Sequence, residues 1–200
     1  DQVLDLPPSL ARYSNEVRGV VEREGSPYLL VEPTFFHEHE RPQWAPRRVI
    51  HSPKQGNRDK ARLVLCDIPS TASRRLVFGF SGRQVLEISH RITVTPIPSA
   101  PDCVLGVCIW QGRSVPVVDL HSALSLGQTS VGLCNHTLFV RAVQTRDVVA
   151  IPIGASVRSM TSRTPVYQEP NPPSMPLELV RGVFRLDRGT LVIPDIDALV

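Results

Sequence analysis

The residues of this chain that are able to do chemistry are few and scattered. Four cysteines, Cys66, Cys103, Cys108 and Cys134, lie in apolar surroundings, and none forms the close CxxC pair of a zinc site or redox motif. They read as buried free thiols. The segment Phe36-His37-Glu38-His39-Glu40 alternates two histidines with two acids. On a strand that spacing sets His37 and His39 on one side without supplying the rest of a coordination shell, so it reads as polar linker and no metal or cofactor is expected. Nucleophilic catalysis finds no support either. Ser81-Gly82 and Ser125-Leu126-Gly127 are not nucleophile elbows, no GxxxxGK phosphate loop is present, and the histidines have no spacing that places two beside a nucleophile. A Cys/His-dependent enzyme remains only as an alternative in which these groups meet in space.

The elements that must position such residues are short. Glycine and proline number 12 and 19 among 200 residues, and the prolines interrupt runs rich in Val, Ile and Leu. Long helices do not survive that punctuation. Strand-like runs recur at 62–68, 76–80, 104–110, 114–120, 137–143, 148–153, 182–186 and 190–193, a spacing that implies barrels or a sandwich. Gln111-Gly112-Arg113 and Asp187-Arg188-Gly189 read as hairpin turns. Leu86 to His90 and His121 to Leu124 are expected as short helices. Gly106 and Gly182 read as places of close backbone approach or unusual dihedrals.

Charge and hydropathy exclude several classes. The 22 basic and 19 acidic residues give a formal charge of +3, and the chain is 42% hydrophobic, which excludes disorder as its main state. Only Lys54 and Lys60 are lysine, and the arginines are interleaved with acids, so no nucleic-acid partner is expected. No apolar run reaches the roughly 18–20 residues of a membrane span, and Asp1-Gln2-Val3-Leu4-Asp5 lacks the cationic start of a signal peptide. A cytoplasmic location without membrane insertion is expected. Residues 40–60 hold few core residues and carry Arg47, Arg48, Lys54, Arg58 and Lys60, which marks a Pro/Arg-rich linker, with Trp44 as a candidate anchor.

An internal repeat is the most informative feature. Residues 17–32 (VRGVVEREGSPYLLVE) align without gaps on residues 180–195 (VRGVFRLDRGTLVIPD), each a strand, an acidic turn with glycine, and a second strand. Each is preceded by a Pro-Pro-Ser segment, at Pro7-Pro8-Ser9 and Pro172-Pro173-Ser174. The first copy is near the lower limit for independent folding, so either it ends a preceding unit of a tandem protein or it packs on the second domain.

The segment 104–120 (VLGVCIWQGRSVPVVDL) resembles the signature of the CheW-like family, the chemotaxis coupling domain, in its Gly-Val strand and its Val-Pro-Val-Val-Asp-Leu strand. Val85-Leu86-Glu87-Ile88 resembles the family's Val-x-Glu-Ile segment, and the runs at 148–153 and 180–199 fall in the expected order. The resemblance covers residues 61–200, and residues 8–36 look like the end of a preceding copy. It implies a mainly β, CheW-like fold of two packed five-stranded SH3-like β-barrels with one or two short helices. It divides the chain into 1–39, the C-terminal portion of a first unit; 40–60, the linker; and 61–200, a complete domain. The implied function is that of a non-enzymatic adaptor, coupling a chemoreceptor cytoplasmic tip to the regulatory domain of a CheA-type histidine kinase within membrane-associated receptor arrays. Other CheW-like domains are further candidate partners, and a specialised array-organising or polar-localisation scaffold of the same fold is the alternative.

Val85, Glu87, Trp110, Gln111 and Arg113 are the candidate partner-binding residues. The family's turn reads Asn-Leu-Arg-Gly where this chain has Ile109-Trp110-Gln111-Gly112, so its arginine is absent, and glutamine does not copy a guanidinium. Arg113, read as two residues further along one strand, would sit about 7 Å away. Trp110 has two readings, an interface anchor whose change to alanine leaves the melting temperature nearly unaltered, or a core residue. Asp119 reads foremost as a cap for the turn after it.

Overall fold

Runs of β-branched and aromatic residues bounded by glycine, proline and asparagine favour strands over helices, and the computed structural model of the chain is built mainly of them. It describes residues 3–7, 10, 17–24, 26–31, 62–70, 76–90, 92–161, 174–186 and 189–199. The candidates at His37, His39 and Trp44, and the whole segment 40–60, lie outside the described residues. The strands are β1 (Val3–Leu4), β2 (Val17–Arg23), β3 (Ser26–Val31), β4 (Arg62–Cys66), β5 (Leu76–Ser81), β6 (Val85–His90), β7 (Val104–Trp110), β8 (Arg113–Val118), β9 (His136–Arg141), β10 (Val148–Ile153), β11 (Val157–Thr161), β12 (Val180–Leu186) and β13 (Gly189–Pro194). A short α-helix, α1 (Leu120–Ala123), comes after β8, and brief 3-10 turns precede β9, precede β12 and succeed β13.

Two five-stranded sheets, ordered β6-β9-β10-β8-β7 and β11-β4-β5-β13-β12, repeat one pattern. In each, two antiparallel pairs lead to a single parallel pair, β10 with β8 or β5 with β13, and an antiparallel hairpin ends the sheet. The sheets share a core in which Phe78 and Phe80 of one meet Leu138, Val140 and Ile151 of the other. Each also buries its second face, one around Cys108, Val115, Val117 and Phe139 and the other around Leu65, Val77 and Leu191. The mainly β class with two packed five-stranded sheets agrees with the expectation.

Leu86 to His90 is a correction, because it forms β6 and not a helix. Its apolar spacing fits either element, and the antiparallel ladder to β9, running from Val85↔Val140 to His90↔His136, decides for strand. The expected helix at His121 to Leu124 is α1, shifted by one residue.

The repeat proves to be threefold. The hairpins β2–β3, β7–β8 and β12–β13 have seven-residue first strands, and each shows a register shift at its start, at Val17/Gly19, Val104/Gly106 and Val180/Gly182. The first hairpin, with β1 added at β2, makes a separate three-stranded sheet. It packs on the second through equivalent residues, Val17 and Val20 joining Val107 and the half-buried Val104 in one apolar cluster with Leu4 and Ile97. The Thr95 hydroxyl donates to the Pro27 carbonyl and the Ser114 hydroxyl to the Asp5 carbonyl across the same boundary.

Candidate partner-binding site

The strands β6 and β7 are the two edges of one sheet, and edges carry backbone groups able to pair with other chains, although Val107 on the outer side of β7 is already bridged to Thr95. The β6 ladder shifts register between Val85 and Glu87, a bulge of the kind that re-aims side chains. Glu87 is thereby paired with Phe139 of β9, and its carboxylate accepts a hydrogen bond from the indole Nε1 of Trp110 at 2.8 Å. The Trp110 ring stacks on that same Phe139, with centroids 5.0 Å apart and an interplanar angle of 18°. One contact therefore ties both edges of the sheet to its buried middle. Phe139 was not singled out from the sequence, because no local pattern announces a platform for a residue 29 positions away.

Trp110 meets both of its readings. It packs against the Cys108, Val115 and Phe139 cluster while staying half-buried, so its ring forms the rim of the core. After it, Gln111 and Gly112 take positive φ values of 49° and 70°, the two-residue turn whose twist matches antiparallel strands. That turn corrects the placement of Arg113. It does not lie further along the same strand but returns opposite Trp110 as its cross-strand partner, so the two share a face. Gln111 and Arg113 are both exposed, which leaves an amide and a guanidinium beside the Trp110–Glu87 pair. Val85 stands at the start of β6, half-buried against the shared core.

Buried polar groups elsewhere have structural partners. Asp119 follows β8 and accepts from Ser122 N–H at 3.1 Å, capping α1, and from Thr129 N–H at 3.0 Å. The Thr129 hydroxyl also donates to Asp119, and His121 Nδ1 lies 3.3 Å from that hydroxyl. Acid, hydroxyl and imidazole thus meet, but all three residues are buried and the hydroxyl hydrogen is spent on the carboxylate. Burial holds the His121 pKa below its ordinary value, with the Asp119 charge opposing. Cys66, Cys103, Cys108 and Cys134 are buried thiols, as expected. Burial pushes the Cys108 thiol up to about 12 and Cys103 to about 11, and raises Cys66 further, so these groups stay protonated and poorly nucleophilic. A groove of about 470 Å³ beside β9 is lined by Cys134 and His136 among apolar and threonine side chains, with no carboxylate among the described residues. Among the described residues no three His, Cys, Asp or Glu side chains gather as a metal site, and no helix is long and apolar enough to cross a membrane.

A comparison with curated proteins gives no significant match. Ten chains of solved structures match, among them the scaffolding protein TtCheW from Thermoanaerobacter tengcongensis, with a TM-score of 0.56 over 73% of this chain and 90% of that one, at 17% identity. At that identity the likeness is one of fold. The model of the CheW-like domain matches residues 47–200, starting inside the segment read as linker. The doubled five-stranded sheets, the structural likeness and this match over most of the sequence agree, and the chain belongs to the CheW-like domain family.

Proposed function

We propose that the chain is a non-enzymatic coupling scaffold of chemotaxis-type signalling, joining the regulatory domain of a CheA-type histidine kinase to a chemoreceptor tip at cytoplasmic receptor arrays. The observation that carries this reading is the Trp110–Glu87 pair at the two sheet edges, with exposed Gln111 and Arg113 beside it. A rigid aromatic set next to free polar donors is the composition of an interface anchor. In this reading Val85, Glu87 and Trp110 hold the surface in shape, and Arg113 supplies the positive charge that Gln111 lacks. Residues 61–200 act as the complete coupling domain, residues 40–60 as linker, and residues 1–39 as the closing portion of a first CheW-like unit.

Co-purification of the full chain with kinase regulatory and receptor-tip fragments tests this. Capture of both by the wild type, with a loss of tenfold or more for one of them in Arg113→Glu, is the expected result. Failure to capture either, or capture indifferent to Arg113→Glu and Gln111→Glu together, overturns it.

A further inference from the structure

The three hairpins share one register, so their residues correspond one to one. Val21, Tyr28 and Leu30 of the first occupy the places of Cys108, Val115 and Val117 in the second, and of Phe184, Leu191 and Ile193 in the third. In the second hairpin those positions are packed with Phe139 and Ala150. In the third they meet Leu63 and Leu65 of β4, Val77 of β5 and Met160 of β11. In both complete sheets the second strand of the hairpin also takes a parallel neighbour along its outer side, β10 or β5.

Among the described residues the first hairpin has neither. Its other face is covered by the second hairpin, but Tyr28 is 55% exposed and Leu30 40%, where Val115, Val117 and Leu191 are at 3%, 0% and 0%. Val3 on the neighbouring strand β1 adds a further exposed apolar side chain. A strand built like the middle of a sheet thus ends one.

We infer that this face and the outer edge of β3 are the docking surface for the apolar sheet of a first CheW-like unit, of the kind formed here by β11, β4 and β5, with its β5-like strand laid parallel to β3. The inference rests on the reading of residues 1–39 as a closing portion. The occupant is specified by the two covered hairpins: branched and long aliphatic side chains on one face, and a strand able to pair in parallel. The Pro27 carbonyl is already taken by Thr95, so new pairing runs through Leu29 and beyond.

The test uses the full 200-residue chain and a labelled synthetic peptide spanning residues 61–82, which carries Leu63, Leu65 and Val77. Saturable binding, slower amide exchange at Leu29 and Val31, and a tenfold or greater loss of affinity in Tyr28→Lys/Leu30→Lys support the inference. Binding that survives those substitutions, or a dimer of the chain that they abolish, overturns it. Absence of binding while the β2–β3 amides stay protected overturns the docking surface and leaves the closing-portion reading standing. Absence of binding with those amides exchanging freely overturns both.

Discussion

Trp110 donates its indole N–H to Glu87 across the two edges of one sheet, at 2.8 Å, while its ring lies flat against the fully buried Phe139. The indole is therefore held by two independent forces, dispersion from the stack and a hydrogen bond to a charged acceptor. Each can be removed separately.

Trp110→Phe keeps a ring on Phe139 and loses the hydrogen bond, for an expected cost of about 1 kcal/mol at this half-buried position. Trp110→Ala loses both and costs about 2 kcal/mol, below the range of fully buried tryptophans, which lowers the melting temperature by roughly 4–8 °C. The expectation of an unaltered melting temperature, drawn from the sequence, is thereby replaced. Chemical denaturation of both variants, with Glu87→Ala to complete a double-mutant cycle, checks this. Equal costs for Phe and Ala would mean that the stack contributes nothing.

Arg181 anchors the other sheet. Its Nη2 reaches Asp195 at 3.2 Å and Asp197 at 2.8 Å, and both acids are buried while the arginine is 39% exposed. Asp197 also accepts the Gln144 N–H at 2.6 Å, which ties the C-terminal turn to the β9–β10 connection. Arg181→Ala leaves two buried carboxylates side by side without their cation and is expected to cost about 2–3 kcal/mol, the lower end for broken buried pairs because solvent reaches the guanidinium and backbone N–H donors remain. Arg181→Lys recovers part of that. Urea unfolding at pH 7 of the two variants reads the difference.

Some of this was legible in advance because it is local. The runs at β7 and β10 carry their own boundaries, since β-branched residues stop at a turn or a charge, and both were read to the residue. β6 was not, because Val85, Leu86 and Ile88 suit a helix turn as well as a bulged strand until β9 supplies a ladder. β11, with only Val157 and Met160 apolar, has too little pattern to announce an edge strand. The hairpin β7–β8 is legible from its turn, but its membership of the repeat is not, because it shares little with the other two beyond Val-x-Gly-Val and the glycine of its turn or strand start. Glu87 and Trp110 were each singled out, yet their contact depends on how the sheet brings its edges together, which no spacing of 23 residues encodes.

The buried His121 makes stability fall in mild acid. Its folded pKa lies below the ordinary 6.5, so the unfolded chain binds more protons between the two values. Stability is then full above about pH 6.5 and declines as pH falls toward the lowered value, by up to about 1.4 kcal/mol per pH unit. Phe78 packs edge-on to the ring at 5.2 Å, so His121→Phe offers an apolar substitute in the same space. Denaturation at pH 7.5, 6.5 and 5.5 should give a steeper decline for wild type than for His121→Phe. Parallel declines would assign the acid sensitivity to other groups.

Gly106 is a position where space, not only conformation, demands glycine. Its φ is +145°, and a Cβ there would stand 2.2 Å from the carbonyl oxygen of Thr95. That oxygen is held in place by the Val107 N–H at 2.9 Å, and the Thr95 N–H returns a bond of the same length. Gly106→Ala must therefore break a two-bond bridge or push away the segment that carries Ile97 into the cluster shared with Val20. Gly112, at φ +70°, has nothing within 4 Å of its would-be Cβ, so its change to alanine meets conformational strain alone. The expected costs are about 1 kcal/mol for Gly112→Ala and more than about 3 kcal/mol for Gly106→Ala. Because Thr95 also binds the Pro27 carbonyl, the second variant should loosen the first hairpin as well, seen as faster amide exchange in β2 and β3. Similar costs for both, with exchange in β2 and β3 unchanged, would show that the Thr95 segment yields freely and that the backbone angle alone selects glycine at 106.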